Sequence, residues 1–139
     1  MRRILGLDIG DKRIGVAVSD LLGMMAQPLY TLTRKSTKDA INEIAEIIQK
    51  EDIKQVVVGL PKNMDSTEGI QAKRTRDFSQ LLLEKTNSNI EIIYCDERLT
   101  SKMAKQSLSH MKLAKAKEKK LIDTAAAVHI LQGYLDSKK

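Results

Sequence analysis

Residues 55–59, Gln-Val-Val-Val-Gly, constrain the fold more than any other feature of the chain. A strand with one face in water alternates apolar and polar side chains. This run does not, so it reads as a strand covered on both faces. Branched side chains at 56, 57 and 58 favour the extended backbone. Covering both faces of a sheet takes helices, and the neighbouring segments supply them. Ile41, Ile44, Ala45, Ile47 and Ile48 recur at helical spacing behind Ser36, which stands three residues before Asp39 in a capping-box arrangement, so a helix is predicted over 37–50. Ile70, Phe78, Leu81 and Leu82 give the apolar side of a second helix, over 70–85.

Upstream, residues 3–9 read as a buried strand with Ile4, Leu7 and Ile9 as its apolar members, followed by a turn at Gly10–Arg13 and a second strand over 14–19. A third, edge-like strand is expected over 28–33, opening on Pro28. Downstream come a strand over 90–95, a helix over 100–111, a lysine-rich connector over 112–120 and an apolar helix over 121–135. The order β-β-β-α-β-α-β-α-α predicts an α/β fold. Its five-stranded mixed sheet would be an antiparallel meander followed by parallel βα units, with helices on both faces. The 139 residues fit a single domain spanning 1–139.

Composition narrows the function classes. With 42% hydrophobic and 30% charged residues the chain is neither disordered nor fibrous. No apolar stretch approaches membrane-spanning length, and Asp8 breaks the only run that could imitate a signal peptide. One cysteine, Cys95, forms no internal disulfide and points to a reducing, cytoplasmic setting. The net charge of +6 is carried by residues 102–120, with seven lysines against Glu118, while the rest of the chain is balanced. So localised an excess points to a polyanionic partner such as nucleic acid, a solvated linker being the plainer alternative. Aromatic residues make up only 3% and are scattered, which favours recognition of backbone and shape over base stacking.

Three acids carry the candidate chemistry. Asp8 is embedded among apolar residues, where an ionised carboxylate is costly unless paired or metal-bound. Glu97 follows the carboxyl end of the fifth predicted strand, where open α/β sheets place ligands. Asp123 opens the last predicted helix beside Ala125, Ala126 and Ala127, whose small side chains allow close packing on the sheet. Singly, such residues form turns or stabilise helix ends. Together they could hold Mg²⁺ or Mn²⁺, hard ions suited to carboxylate oxygens and to phosphodiester cleavage. Asp96 is an alternative to Glu97. Two isolated histidines and Cys95 make no zinc site.

The segment Leu5-Gly6-Leu7-Asp8-Ile9-Gly10-Asp11-Lys12-Arg13-Ile14-Gly15-Val16-Ala17 resembles the first motif of the YqgF/RuvX family of pre-16S rRNA nucleases. Residues 58–69 (VGLPKNMDSTEG), 96–101 (DERLTS) and 122–127 (IDTAAA) resemble the other three motifs, in the same order and across nearly the whole chain. Ser66 departs from the family's usual glycine. The resemblance implies a ribonuclease H-like fold similar to Holliday junction resolvases. It also implies Asp8, Glu97 and Asp123 as catalytic and metal-holding positions, and precursor 16S rRNA as substrate. Arg13, Asn63 and Arg98 are candidate phosphate contacts, and Lys112, Lys115, Lys119 and Lys120 a candidate grip on the nucleic-acid backbone. Lys73, Arg74 and Arg76 could extend that footprint or simply face solvent.

Alternatives remain at this point: a resolvase acting on branched DNA, a non-catalytic nucleic-acid-binding regulator of transcription, or a sugar-kinase-like ATPase. The last needs a second domain for which the chain has no room. No membrane partner is expected, and a homodimer is compatible with the family.

Overall fold

A computed structural model describes residues 2–62, 65, 67–96 and 115–138, with side chains in the last helix described from Thr124 onward. Strands β1 (Ile4–Ile9), β2 (Arg13–Ser19), β3 (Ala26–Thr33), β4 (Gln55–Leu60) and β5 (Glu91–Asp96) form one sheet in the order β3-β2-β1-β4-β5. Strand β1 is antiparallel to β2 and parallel to β4; β2–β3 is antiparallel and β4–β5 parallel. This is the predicted mixed sheet. Helices α1 (Thr37–Lys50), α2 (Ile70–Lys85) and α3 (Lys115–Ser137) complete the described elements. The helix expected over 100–111 lies outside the described residues.

Period-two alternation sorts each strand between two cores. Leu5, Leu7 and Ile9 of β1, Ile14 and Val16 of β2, and Val56 and Val58 of β4 pack with Ile41, Ile44 and Ile48 of α1 and Phe78 and Leu82 of α2. On the opposite face Ala17 and Val57 pack with Ala127, Ile130, Leu131 and Leu135 of α3. β4 is therefore buried on both faces, as its unbroken valine run requires.

Local chemistry explains the ends. The Ser36 hydroxyl caps α1 by accepting from the Asp39 N–H at 3.1 Å. Pro28 sits within β3 rather than at its start, because the strand begins at Ala26. The register slips between Val16 and Ala17, whose partners are Tyr30 and Pro28, leaving Leu29 as the extra residue of a bulge.

Two expectations need correction. Ile70 and Leu81 are 74% and 45% exposed, so they are not the buried side of α2. That side is Ala72, Thr75, Phe78, Ser79 and Leu82. Two hydroxyl residues fit the core because Thr75 donates to the Gln71 carbonyl at 3.0 Å and Ser79 to the Thr75 carbonyl at 2.9 Å. The described part of the lysine-rich connector, 115–120, is helix: α3 starts at Lys115, six residues before the predicted boundary. Lysine, alanine and glutamate are strong helix formers, and a charge run read as a linker conceals that propensity.

Candidate functional site

Asp8 is half-buried on β1 and shares with Gly6 the face that α3 covers. Its cross-strand partner on β2 is Gly15, and the partner of Gly15 on β3 is Thr31. On the other side β1 and β4 pair as far as Leu7 with Val58. One step further in that register stands Gly59, which pairs with Cys95 on β5. A single row of the sheet therefore reads Thr31, Gly15, Asp8, Gly59, Cys95. Asp8 is thus flanked on both sides, on neighbouring strands, by glycine.

Helix α3 is brought onto this row by close packing. A Cβ on Gly6 would lie 2.8 Å from Leu131 Cβ and 3.2 Å from the Ala127 carbonyl oxygen, so glycine is what lets helix and strand approach. Their relative direction is fixed at two points. Gln132 accepts from the Ala26 N–H at 2.8 Å and donates to the Met24 carbonyl at 3.0 Å. The Thr124 hydroxyl is hydrogen-bonded to the Thr31 hydroxyl. Ala26 is level with Ser19, whose hydroxyl accepts from the Ile4 N–H. From Ile4 to Asp8 the strand advances about 13 Å, and from Gln132 to Thr124 the helix advances about 12 Å in the opposite direction. Thr124 thus stands at the Asp8 row, and the backbone of Asp123 is the next residue along. Beyond it α3 continues back to Lys115, about 13 Å of helix carrying Lys115, Lys119 and Lys120.

The turn after β1 is tight. The Gly10 N–H donates to the Arg13 carbonyl at 2.9 Å, and a Cβ on Gly10 would meet that oxygen at 2.7 Å. Arg13 opens β2, half-buried, and by alternation it lies on the same face as Gly15 and Asp8. The turn is held from outside by Arg34 and by α2, where Arg74 pairs with Asp11 at 3.2 Å. Arg76 grips Glu68 through two bonds of 2.7 and 2.9 Å and lies 4.6 Å from the centre of the Tyr94 ring. The hydrogen bonds from Arg76, with its charge, hold the Glu68 carboxyl below its usual range. Two arginines of the α2 cluster are thus engaged with acids of the protein itself, rather than forming a free basic face.

Cys95 is a half-buried strand thiol, pushed above its usual pKa by desolvation. Asp96 follows it on the alternate position, the side of Tyr94 and α2, away from Asp8. Glu97, Arg98, Asn63 and Lys112 lie outside the described residues, as does Ser66. Asp123, Lys115, Lys119 and Lys120 are described by backbone only. Among the described residues no group of three His, Cys, Asp or Glu is placed to hold a metal; of the three acids singled out, only the Asp8 side chain falls within that set. No described helix is long and apolar enough to cross a membrane.

Sequence reading missed Thr31 and Arg34. Thr31 is identified only by the register that sets it beside Gly15, and nothing in the residues around 31 announces that pairing.

The RuvX family model, described as Holliday junction resolvase, matches residues 2–137. A protein of Acetivibrio thermocellus named "Putative pre-16S rRNA nuclease" is 46% identical over 137 residues, covering 98% of this chain and 96% of its own length. One of the same name from Clostridium botulinum is 47% identical over 135 residues, 97% of each chain. Among solved structures, Thermus thermophilus RuvC in complex with Holliday junction substrate superposes with a TM-score of 0.64 at 13% identity, over 99% of this chain and 96% of that one. The fowlpox virus resolvase bound to Holliday junction DNA gives 0.58 at 15% identity, over 98% of each. The fold is thus the ribonuclease H-like one shared with these resolvases.

Proposed function

The chain belongs to the RuvX family, a family of nucleases, and from that premise we propose that it hydrolyses phosphodiester bonds in precursor 16S rRNA, at a site built on Asp8, Glu97 and Asp123. The observation that carries the reading of the site is the five-strand row in which Asp8 stands between two glycines while α3 delivers the Asp123 backbone to the same level. The RNA substrate is supported by the names of relatives 46–47% identical over nearly their full length.

Resolvase-like nucleases generally use divalent metals. The donor set fits one: hard carboxylate oxygens, one carboxylate half-buried between two glycines of the sheet, suit Mg²⁺ or Mn²⁺. Such an ion supplies phosphate polarisation and a lowered pKa for water. The chain's own groups do the rest. Asp8, in the middle of a hydrogen-bonded sheet, is a fixed ligand with little freedom to lose. Asp96 stands by alternation on the side of Tyr94, away from Asp8, which supports Glu97 over Asp96 as the third carboxylate. Arg13, on the Asp8 face, orients the scissile phosphate, with Asn63 and Arg98 as further phosphate contacts. Lys112, Lys115, Lys119 and Lys120, on and before the overhanging end of α3, grip the flanking backbone.

The family description favours a second reading, cleavage of four-way DNA junctions. Both are tested with purified protein, a labelled RNA spanning the 5′ end of pre-16S rRNA and a labelled junction, each with Mg²⁺ or Mn²⁺ and with EDTA. Metal-dependent cutting of the RNA, lost in Asp8→Asn, is expected. Cutting of the junction alone would transfer the assignment to the second reading, and binding without cleavage in either metal would overturn both.

A further inference from the structure

We infer that Arg34, which lies outside all four family-like motifs, is a positioning residue for the proposed site: it sets the Gly10–Arg13 turn, and through it the placement of Arg13 and the end of the strand that carries Asp8. The inference rests on the reading of the site given above.

Arg34 follows β3, yet its bonds go to the turn between β1 and β2. Its N–H donates to the Lys12 carbonyl at 2.9 Å, and its guanidinium Nη1 donates to the Gly10 carbonyl at 2.7 Å. Two carbonyls of one four-residue turn are thus held by one residue just past the end of β3. The guanidinium is itself fixed. Nη2 donates to the Thr37 hydroxyl, the first residue of α1, at 3.0 Å, and the carbon at its centre lies 5.0 Å from the centre of the Phe78 ring of α2. The turn is therefore referenced to both helices of the large core. The backbone bond from Gly10 to Arg13 and the lack of space at Gly10 leave the turn one compact shape, and Arg13 emerges from it onto the Asp8 face. A planar fork with two donors in fixed directions can do this; a lysine ammonium at the end of a flexible stem keeps the charge but not the geometry. The bonded groups belong to the protein, so the predicted loss falls on orientation of bound substrate rather than on its capture.

The test compares Arg34→Lys, Arg34→Ala and Asp8→Asn with the unaltered protein, on the labelled pre-16S rRNA fragment in Mg²⁺. Arg34→Lys is expected to lower kcat about 10–100-fold, as small misplacements of catalytic groups do, with KM within about twofold. Exchange of the Gly10 amide hydrogen is expected to speed up in the same variant without any metal or RNA. Should Arg34→Ala fail to fold, Arg34→Lys still decides, because it keeps the charge and the aliphatic stem over Phe78. Wild-type kcat in Arg34→Lys, or a loss confined to KM, would overturn the inference. Cleavage by Asp8→Asn would instead overturn the reading of the site, so the two failures are distinguishable.

Discussion

The two faces of the sheet are packed by different rules. Against α1 and α2 the contacts are large and branched: Leu5, Leu7, Val16, Ile44, Val56, Phe78 and Leu82 are all buried there. Against α3 the large side chains come mainly from the helix, Ile130, Leu131 and Leu135, while the strands offer Gly6 and Ala17 beside Val57, and at Gly6 helix and strand approach until a single methyl group no longer fits. Among the described residues the first face holds the larger cluster of buried apolar side chains, so burial there contributes more to stability. On the second face close approach brings a helix to the level of a strand carboxylate. Stability and positioning are thus assigned to opposite sides of one sheet.

Substitutions on the two faces should separate these roles. Leu82→Ala, on the large-residue face, is expected to cost about 2–5 kcal/mol in denaturant unfolding while leaving cleavage per folded molecule near normal. A smaller stability loss, about 1–3 kcal/mol from overpacking, is expected for Gly6→Ala. That variant should nevertheless lose most of its cleavage, because the added methyl pushes α3 away from the Asp8 row. If Leu82→Ala inactivated the folded enzyme, or Gly6→Ala left it fully active, the division between the faces would be wrong. Ser36→Ala, which removes only the α1 cap, is expected to cost about 1 kcal/mol without altering cleavage.

The smallest effect concerns Cys95, whose burial raises its pKa. Less thiolate is present at any given pH below that value, so alkylation by iodoacetamide at pH 8 should be slower than for a free thiol, speeding up as pH rises. A rate equal to that of free cysteine would mean that the face near β5 is more open than its packing implies.

Much of this architecture was legible from residue patterns. Helices α1 and α2 were bounded correctly, because Ser36 caps the first and both end with their periodicity. The valine run announced a central strand. Two things were hidden. The buried side of α2 uses Thr75 and Ser79, whose hydroxyls are satisfied by the helix's own carbonyls, a solution that hydrophobic periodicity does not register. The start of α3 was masked by lysines that are as compatible with a helix as with a linker. At the site, Asp8 stood out because a charge inside an apolar strand demands a reason. Thr31 and Arg34 did not, since one matters through strand register and the other through bonds to a turn more than twenty residues away.

The central claim is that acids distant in sequence meet at the Asp8 row to hold a divalent cation. Titrating Mn²⁺ into ¹⁵N-labelled protein tests it directly, since the ion broadens amide signals around its binding site. Broadening centred on Gly15, Gly59 and Thr124, and abolished by Asp8→Asn, is the predicted result. Broadening centred elsewhere, or unchanged in Asp8→Asn, would contradict the account.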